Sequence, residues 1–136
     1  MKRILLSLIS LLLILSFTSC DNYTSSFSAI GLIRSNTTES CKAEFMSLKG
    51  RLVFKIKKTD GGEGDIHYTA ELEKGNVNVY YDIYGTKEHL FEINAGESKD
   101  GRGGYIEAGK TVYIIIEAAE NSRGKVHIDL EKSSDT

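Results

Sequence analysis

The chain has no proline, only two cysteines and only three histidines, and each shortage excludes a class of structure or site. Disulfide scaffolds need several cysteine pairs, whereas Cys20 and Cys41 allow one bridge at most. His67, His89 and His127 lack the short paired spacing of zinc ligands, so we expect exposed histidines without a metal. No nucleophile elbow or similar signature is present. We therefore predict that the protein is not an enzyme and has no catalytic residue and no cofactor.

The one long apolar run lies at the start of the chain, and it is shorter than the roughly 20 residues that a membrane-spanning helix requires. Lys2 and Arg3 precede apolar residues 4–17, and two small residues follow. A cationic head, an apolar core and small residues at the end are typical of a cleaved export signal. We therefore predict that residues 1–19 are a signal peptide.

Cys20 follows the small residues directly, and this order resembles the lipobox of bacterial lipoproteins, with Phe17 where that family usually has leucine. The resemblance implies that cleavage makes Cys20 the first residue and that a diacylglyceryl thioether, usually with an added acyl chain such as palmitate, anchors it. An uncleaved anchor and a cleaved signal without lipid are the alternatives. We predict an extracytoplasmic lipoprotein of the cell membrane or cell envelope, with residues 20–28 as a flexible tether.

The charge of the chain is nearly balanced. Cleavage would remove two basic residues and no acidic one, so the formal charge of −2 would become −4. An acidic domain lacks the basic patch that binds nucleic acid, and its surface is not attracted to anionic lipid. We therefore predict no nucleic-acid partner and a membrane contact made by the lipid anchor. Once Cys20 is lipidated, Cys41 is left alone, and we expect it to be a buried strand residue.

What the chain has instead is glycine, which separates short segments of alternating polarity. All thirteen glycines lie after residue 30, and β-branched and aromatic residues fill the segments between them. This pattern predicts an all-β fold, a single antiparallel β-sandwich of about seven to nine strands over residues 29–136. Gly75-Asn76 is predicted to form a tight hairpin turn. Alternation marks the candidate strands 51–57, 66–72, 77–84, 112–118 and 126–130, and residues 90–93 are a shorter one. Residues 29–33 and 41–48 add two more strands, with a helical turn as the alternative for the second.

From Leu48 to Leu130, the order of segments resembles small extracytoplasmic β-sandwich modules of the pre-peptidase C-terminal and GOLD-like kind. The features that carry the resemblance are the segment 70–75 and Gly104-Tyr105, which leads into the apolar strand 112–116. Such modules are mostly non-catalytic accessories. The resemblance therefore implies a binding role on a sandwich scaffold.

Two glycine-rich segments are candidates for a small ligand. Asp60, Glu63 and Asp65 could wrap a calcium ion with their carboxylates, but the spacing matches no EF-hand and a solvated hairpin tip is the simpler interpretation. Residues 100–104 look like a phosphate cradle without the lysine and the serine or threonine of a P-loop. We predict a mobile turn there and no metal site.

Tyrosines supply the most informative pattern. Tyr80 and Tyr84 alternate with Asn78 and Asp82 on the polar side of one predicted strand, and Tyr113 joins them if its strand lies in the same sheet. Aromatic rings beside hydrogen-bonding groups suit a sugar ring or a protein hot spot. The alternative is that a loop or a second sheet covers the rings.

Three functions compete on these observations. The first is a membrane-anchored, non-catalytic module that binds a protein or a glycan. The second is an immunity-type or inhibitor lipoprotein whose acidic surface caps a basic toxin or lytic enzyme. The third is a cell-envelope hydrolase, which requires two carboxylates, or a carboxylate and a histidine, that converge in a pocket. We favour the first, because the chain is short and few of its residues suit catalysis.

Overall fold

The computed structural model describes residues 23–59 and 62–132, so the predicted signal peptide and Cys20 lie outside the described residues. Within the described part of the chain there is no helix, and hence none that is long and apolar enough to cross a membrane. The predicted all-β antiparallel fold is confirmed. The strands are β1 (Ser26–Ile30), β2 (Ile33–Asn36), β3 (Ser40–Lys57), β4 (Gly64–Lys74), β5 (Asn76–Asp82), β6 (Glu88–Asn94), β7 (Ser98–Ile106) and β8 (Thr111–Lys132).

Two long strands, β3 and β8, build the sandwich because they bend and run through both of its layers. Residues 50–57 of β3 pair with residues 111–118 of β8, and residues 40–45 of β3 pair with residues 124–129 of β8. The first sheet has the order β1–β3–β8–β5–β6, and the second has the order β2–β3–β8–β4–β7. The bend lies where the register of the β3–β8 ladder shifts, between Phe45 and Gly50.

The core lies between the two sheets and consists of the alternating apolar residues of both. The rings of Tyr68 on β4 and Phe91 on β6 stack 4.2 Å apart across the layers. Full burial of each aliphatic side chain contributes about 1.5–3 kcal/mol. Cys41 is 2% exposed and forms no disulfide, which confirms the prediction of a buried strand cysteine. The fully buried aliphatic residues of this core include Leu48, Leu52, Ile66, Val77, Val79, Ile93, Ile106, Val112, Ile114 and Ile128.

The predicted hairpin turn at Gly75-Asn76 is wrong, because β4 and β5 do not pair with each other. Both pair with β8, β4 with its second half and β5 with its first half, so Gly75 carries the chain from one sheet to the other. Its φ of +92° is one that side chains rarely adopt, and a Cβ there would lie 2.1 Å from Oγ of Ser122. Glycine is required at this crossing for both reasons.

The predicted mobile turn at residues 100–104 is also wrong, because this segment is part of β7 and pairs with β4. Gly101 and Gly103 provide space for side chains of neighbouring residues and do not form a turn. A Cβ on Gly101 would lie 2.6 Å from the hydroxyl of Tyr68, and one on Gly103 would lie 2.8 Å from Leu90. Glycine within a strand often marks such a close approach.

The ordered fold begins before residue 29, the boundary that the sequence predicted. β1 starts at Ser26 and pairs with β3, and the backbone N–H of Val53 donates to Oγ of Ser25. The Tyr23 hydroxyl donates to a carboxylate oxygen of Asp82 at 2.5 Å. Residues 26–28 of the segment that we interpreted as a tether therefore belong to the sheet, and Tyr23 and Ser25 contact it.

Candidate functional site

The candidate site lies on the outward side of the first sheet, which we call the first outer face. Its centre is formed by β8 between β3 and β5, where Tyr80 pairs with Ile115 and Asn78 pairs with Glu117. Ile115 points outward and is nevertheless fully buried. The side chains above it therefore form a covering layer. The first outer face consists of Arg51, Val53, Lys55, Asn78, Tyr80, Asp82, His89, Glu92, Tyr113, Ile115 and Glu117.

Four of the five predicted binding residues share this face. Asn78, Tyr80 and Asp82 alternate along β5, and Tyr113 lies opposite Asp82 on the neighbouring strand β8. The condition that we set for Tyr113 is thus met, since its strand belongs to the same sheet. Alternation along β5 was sufficient to find Asn78, Tyr80 and Asp82, because successive side chains point to opposite faces. Tyr113 also required the pairing of β5 with β8.

Tyr84 does not share the face, because β5 ends at Asp82. A carboxylate oxygen of Asp82 accepts the backbone N–H of Gly85 at 2.7 Å, which turns the chain away from the sheet. Tyr84 lies at the end of the sandwich, 62% exposed, with the ammonium of Lys110 5.8 Å from its ring. Our assignment of Tyr84 to the polar side of the strand was therefore wrong.

Asp82 and Tyr113 lie under a cover that the sequence did not indicate. The ring of Tyr23 lies 5.5 Å from the ring of Tyr113, and its hydroxyl hydrogen-bonds to Asp82. Asp82 is only 5% exposed. The hydrogen bond to Asp82, together with burial and the nearby negative charge, raises the pKa of Tyr23 to about 12. These contacts fasten Tyr23 to the sheet and leave Asp82 little contact with solvent.

An open groove of about 570 Å³ occupies the rest of the face. Asn78, Tyr80, Arg51 and Glu117 line it together with Thr24 and Ser26 of the N-terminal segment, and small residues of β3 and β8 complete it. Polar groups predominate among its side chains, and Tyr80 contributes the one aromatic ring. The groove can therefore offer hydrogen bonds around one stacking surface.

Charges around Tyr80 are paired but only half buried. Lys87 holds its ammonium 4.3 Å from the centre of the Tyr80 ring and 2.8 Å from a carboxylate oxygen of Glu117. Arg51 contacts the same carboxylate at 3.0 Å. Burial by itself would raise the pKa of Glu117, but the hydrogen bonds and charges of Lys87 and Arg51 prevail and lower it.

A second row of polar groups extends the groove toward β6. His89 Nε2 lies 2.9 Å from Oδ1 of Asn78, and the Asn78 amide nitrogen lies 3.4 Å from a carboxylate oxygen of Glu92. The His89 imidazole also contacts the edge of the Tyr80 ring at 5.3 Å between centroids. The sequence did not identify His89 or Glu92, because only the pairing of β5 with β6 places them beside Asn78.

The calcium candidate does not assemble among the described residues. Asp60 lies outside them. Glu63 accepts a hydrogen bond from Tyr105, which is the main cause that raises the pKa of Tyr105 to about 12, while Asp65 faces Arg102 across β4 and β7 at 3.9 Å. The segment is also not a hairpin tip, because β3 and β4 are separated by β8.

A different cluster of metal-ligating types occurs on the outward side of the second sheet, which we call the second outer face. His67, Asp129 and Glu131 bring one ligand atom each within 4.8 Å of the others. From the sequence, we expected His67 and His127 to be separate exposed residues. Only the pairing of β4 with β8 places His67 opposite Asp129. The second outer face consists of Lys42, Glu44, Asp65, His67, Thr69, Glu71, Asp100, Arg102, Lys125, His127, Asp129 and Glu131.

Comparison with known proteins gives only distant likenesses. No family model matches the chain, and no curated protein matches it. Among solved structures, a mutant of a family 29 carbohydrate-binding module is 12% identical with a TM-score of 0.41, and the match covers 78% of this chain and 72% of that chain. These likenesses are too distant to carry an argument about function.

Two larger enzymes show similar values over parts of their chains. A cycloisomaltooligosaccharide glucanotransferase of Paenibacillus sp. is 12% identical with a TM-score of 0.42, over 79% of this chain and 17% of that chain. The β-(1,4)-mannanase GH26-CBM35 of Podospora anserina is 8% identical with a TM-score of 0.42, over 82% of this chain and 28% of that chain.

Proposed function

We propose that the protein is a non-catalytic binding module, held at an extracytoplasmic membrane by a lipid on Cys20, whose first outer face binds a glycan. The observation that carries the proposal is the open groove of about 570 Å³ around Tyr80, with its lining of amide, guanidinium, carboxylate and hydroxyl groups. Ligand sites are concave and place a few polar groups around an apolar surface.

The composition of the groove favours a glycan over an apolar protein hot spot. The guanidinium of Arg51 can donate to two neighbouring hydroxyls of a sugar, as guanidinium groups donate to two oxygens of a carboxylate. The amide of Asn78 can donate to one hydroxyl and accept from the next. Protein hot spots are instead enriched in several large aromatic anchors that exclude water. The groove offers one such ring and many hydrogen-bonding groups.

Lys87 determines whether the ring of Tyr80 is available. Its ammonium lies over the ring but is also 2.8 Å from Glu117. When a sugar stacks on Tyr80, Lys87 can retain its ion pair with Glu117 while it leaves the ring. The cost of opening the stacking surface is therefore small, since an exposed cation–π contact contributes only about 0.5–1 kcal/mol.

The proposed anchor places the groove close to the membrane. Cys20 stands three residues before Tyr23, and three extended residues span at most about 10 Å. Tyr23 is itself held on the first outer face by Asp82 and Tyr113. A lipid on Cys20 would thus hold the Tyr23 end of the sandwich near the lipid headgroups, with Thr24 and the groove directly beside it.

The hydrolase alternative receives little support from the described residues. A groove on the second outer face is lined by Asp100, Glu71 and His127, as an acid–base pair would require. However, the side chains of Asp100 and Glu71 are 74% and 61% exposed. A general acid at neutral pH needs a carboxyl that is shielded from water, because desolvation raises its pKa.

The test is a glycan array probed with the full-length protein in detergent, followed by calorimetric titration of the sugars that bind. We expect Tyr80→Ala and Asn78→Ala to weaken binding at least tenfold, which corresponds to about 1.4 kcal/mol. Tyr84→Ala is the matched control, because it removes an exposed tyrosine outside the groove and should leave the affinity unchanged. Thermal unfolding of each variant separates lost contacts from lost structure.

Two results would contradict the proposal. Equal affinity of the Tyr80→Ala variant and the wild type would exclude the groove as the site. Co-purification of one stoichiometric basic protein, with no glycan bound on the array, would instead indicate the inhibitor-type lipoprotein. The anchor is tested separately by mass spectrometry, in which an unmodified sulfur on Cys20 would overturn it.

A further inference from the structure

The second outer face brings together one histidine and two carboxylates from neighbouring strands. His67 on β4 pairs directly with Asp129 on β8, and Glu131 follows two residues later on the same side of β8. One ligand atom of each residue lies within 4.8 Å of the other two. From this geometry we propose that His67, Asp129 and Glu131 bind a divalent transition-metal ion, with zinc as the representative ion.

The contacts of the His67 ring support the proposal. Nε2 lies 3.0 Å from Oδ1 of Asp100, and Nδ1 lies 3.1 Å from Oε1 of Glu131. A neutral imidazole carries a proton on only one of its nitrogens. When Nε2 donates its proton to Asp100, the lone pair of Nδ1 faces the negatively charged Oε1 of Glu131, and the two atoms repel each other. A cation bound between Nδ1 and Oε1 would remove this repulsion, because both atoms would then be its ligands.

The separation of the two atoms fits ligands of one ion. Zinc lies roughly 2.0–2.2 Å from histidine nitrogen and carboxylate oxygen, so two neighbouring ligands are about 3–3.5 Å apart. The 3.1 Å between Nδ1 of His67 and Oε1 of Glu131 falls in that range. The side chain of Asp129 is 34% exposed and lies 3.3 Å from Nε2 of His127. One of its carboxylate oxygens is within 4.8 Å of the other two ligand atoms, so Asp129 would supply the third ligand.

Residues around the three ligands orient them. Asp100 accepts from Nε2 and thereby fixes the tautomer of His67, as carboxylates do behind many metal-binding histidines. Arg102 pairs with Oε2 of Glu131, which leaves Oε1 directed at His67. With the neighbouring Asp65, the cluster has four carboxylates against one guanidinium, and this charge favours a cation.

The ligand types determine the class of ion. Calcium and magnesium prefer sites made only of oxygen ligands. An imidazole nitrogen with two carboxylates suits zinc and its neighbours among the divalent transition metals. Bound there, the ion would join β4 to β8 and stabilise the second sheet. The proposal does not depend on the glycan site, which lies on the other sheet.

The test is calorimetric titration of the full-length, chelator-treated protein with zinc chloride in detergent. We expect one equivalent of zinc to bind to the wild type and to raise its thermal unfolding temperature. His67→Ala should weaken binding at least tenfold and abolish the thermal shift. Asp100→Asn, which alters the partner of Nε2, should weaken binding about 10- to 100-fold. Glu73→Gln is the matched control, because it alters a carboxylate of β4 that pairs with Arg123 outside the cluster.

Three outcomes would overturn the proposal. The first is equal zinc affinity of the wild type and His67→Ala, which would indicate adventitious binding. The second is calcium binding as tight as that of zinc and insensitive to His67→Ala. The third is the absence of zinc binding by a folded wild type, which would show that His67 contacts Asp100 and Glu131 without a metal. If His67→Ala unfolds without metal, Glu131→Gln serves as the second variant, since it retains size and hydrogen bonding.

Discussion

The two outer faces of the sandwich share the long strands β3 and β8 and are nevertheless different surfaces. Where β8 runs in the first sheet, its outward residues include fully buried Ile115, which lies beneath a layer of rings and aliphatic stems. Where β8 runs in the second sheet, its outward residues are Lys125, His127, Asp129 and Glu131, which are half buried or exposed and form ion pairs. One face therefore has a small apolar layer of its own, and the other lies open to solvent.

This difference indicates different roles. The first outer face carries a groove in which polar side chains surround Tyr80, and this suits a ligand that stacks and forms hydrogen bonds. Alternating charges on an open sheet are screened by salt and contribute little to stability individually. They can, however, place ligand atoms of opposite strands side by side, as at His67 and Asp129.

The largest effect should come from removing the apolar layer. We expect Ile115→Ala to lower the free energy of unfolding by about 2–5 kcal/mol, because a fully buried isoleucine leaves a cavity. The matched variant on the other face is His127→Ala, which should cost less than about 1 kcal/mol since its contacts are half exposed. Urea unfolding at neutral pH measures both. Similar losses for the two variants would show that the faces do not differ in this way.

A smaller, pH-dependent change in the free energy of unfolding should come from the hydrogen bond between Tyr23 and Asp82 on the first outer face. The pKa of Tyr23 is raised from 10.0 to about 12, chiefly by its hydrogen bond to Asp82. The stabilisation by the neutral hydroxyl is thus complete below pH 10 and is lost as the pH rises through 12. We expect Tyr23→Phe to cost about 1 kcal/mol at pH 8 and progressively less from pH 10 to 12.

Thermal unfolding of the wild type and of Tyr23→Phe between pH 8 and pH 12 tests that prediction. Tyr105→Phe is the comparison variant, because the pKa of Tyr105 is also raised to about 12, chiefly by a hydrogen bond to Glu63 instead of Asp82. A constant difference between wild type and Tyr23→Phe over the whole range would contradict the prediction.

The smallest effects should come from ion pairs. The pKa of Glu117 is lowered by Lys87 and Arg51 against the opposing effect of burial, so its stabilisation is present at neutral pH and lost as the pH falls through that lowered pKa. We expect Glu117→Gln to cost less than about 1 kcal/mol at pH 7 and nothing in acid.

Its counterpart on the second sheet is Glu73→Gln, which removes the pair between Glu73 and Arg123. The two side chains are 71% and 53% exposed, so we expect no measurable change in the free energy of unfolding. Urea unfolding at pH 7 and pH 3 compares the two variants. A larger loss for Glu73→Gln than for Glu117→Gln would reverse the order that we assign to the faces.

Much of the fold was predictable because alternation of apolar and polar residues is local. It identified β4, most of β5 and the outward positions of Asn78 and Tyr80. It also divided β3 and β8 into shorter candidate strands, because Gly50 and Gly124 resemble breaks in sequence although both strands continue through them. The lipidation of Cys20 and the resemblance to pre-peptidase C-terminal and GOLD-like modules stay predictions.

Sequence alone determined the strand class, the polarity of each side of a strand and the burial of Cys41, since these follow from neighbours along the chain. The tertiary structure decided which strands lie side by side. It thereby placed Tyr23 over Asp82, His89 beside Asn78 and His67 opposite Asp129. Such pairs depend on where β3 and β8 bend and on which half of β8 each neighbour joins. These pairings are set by core packing between residues that are distant in sequence, so alternation within one strand does not predict them.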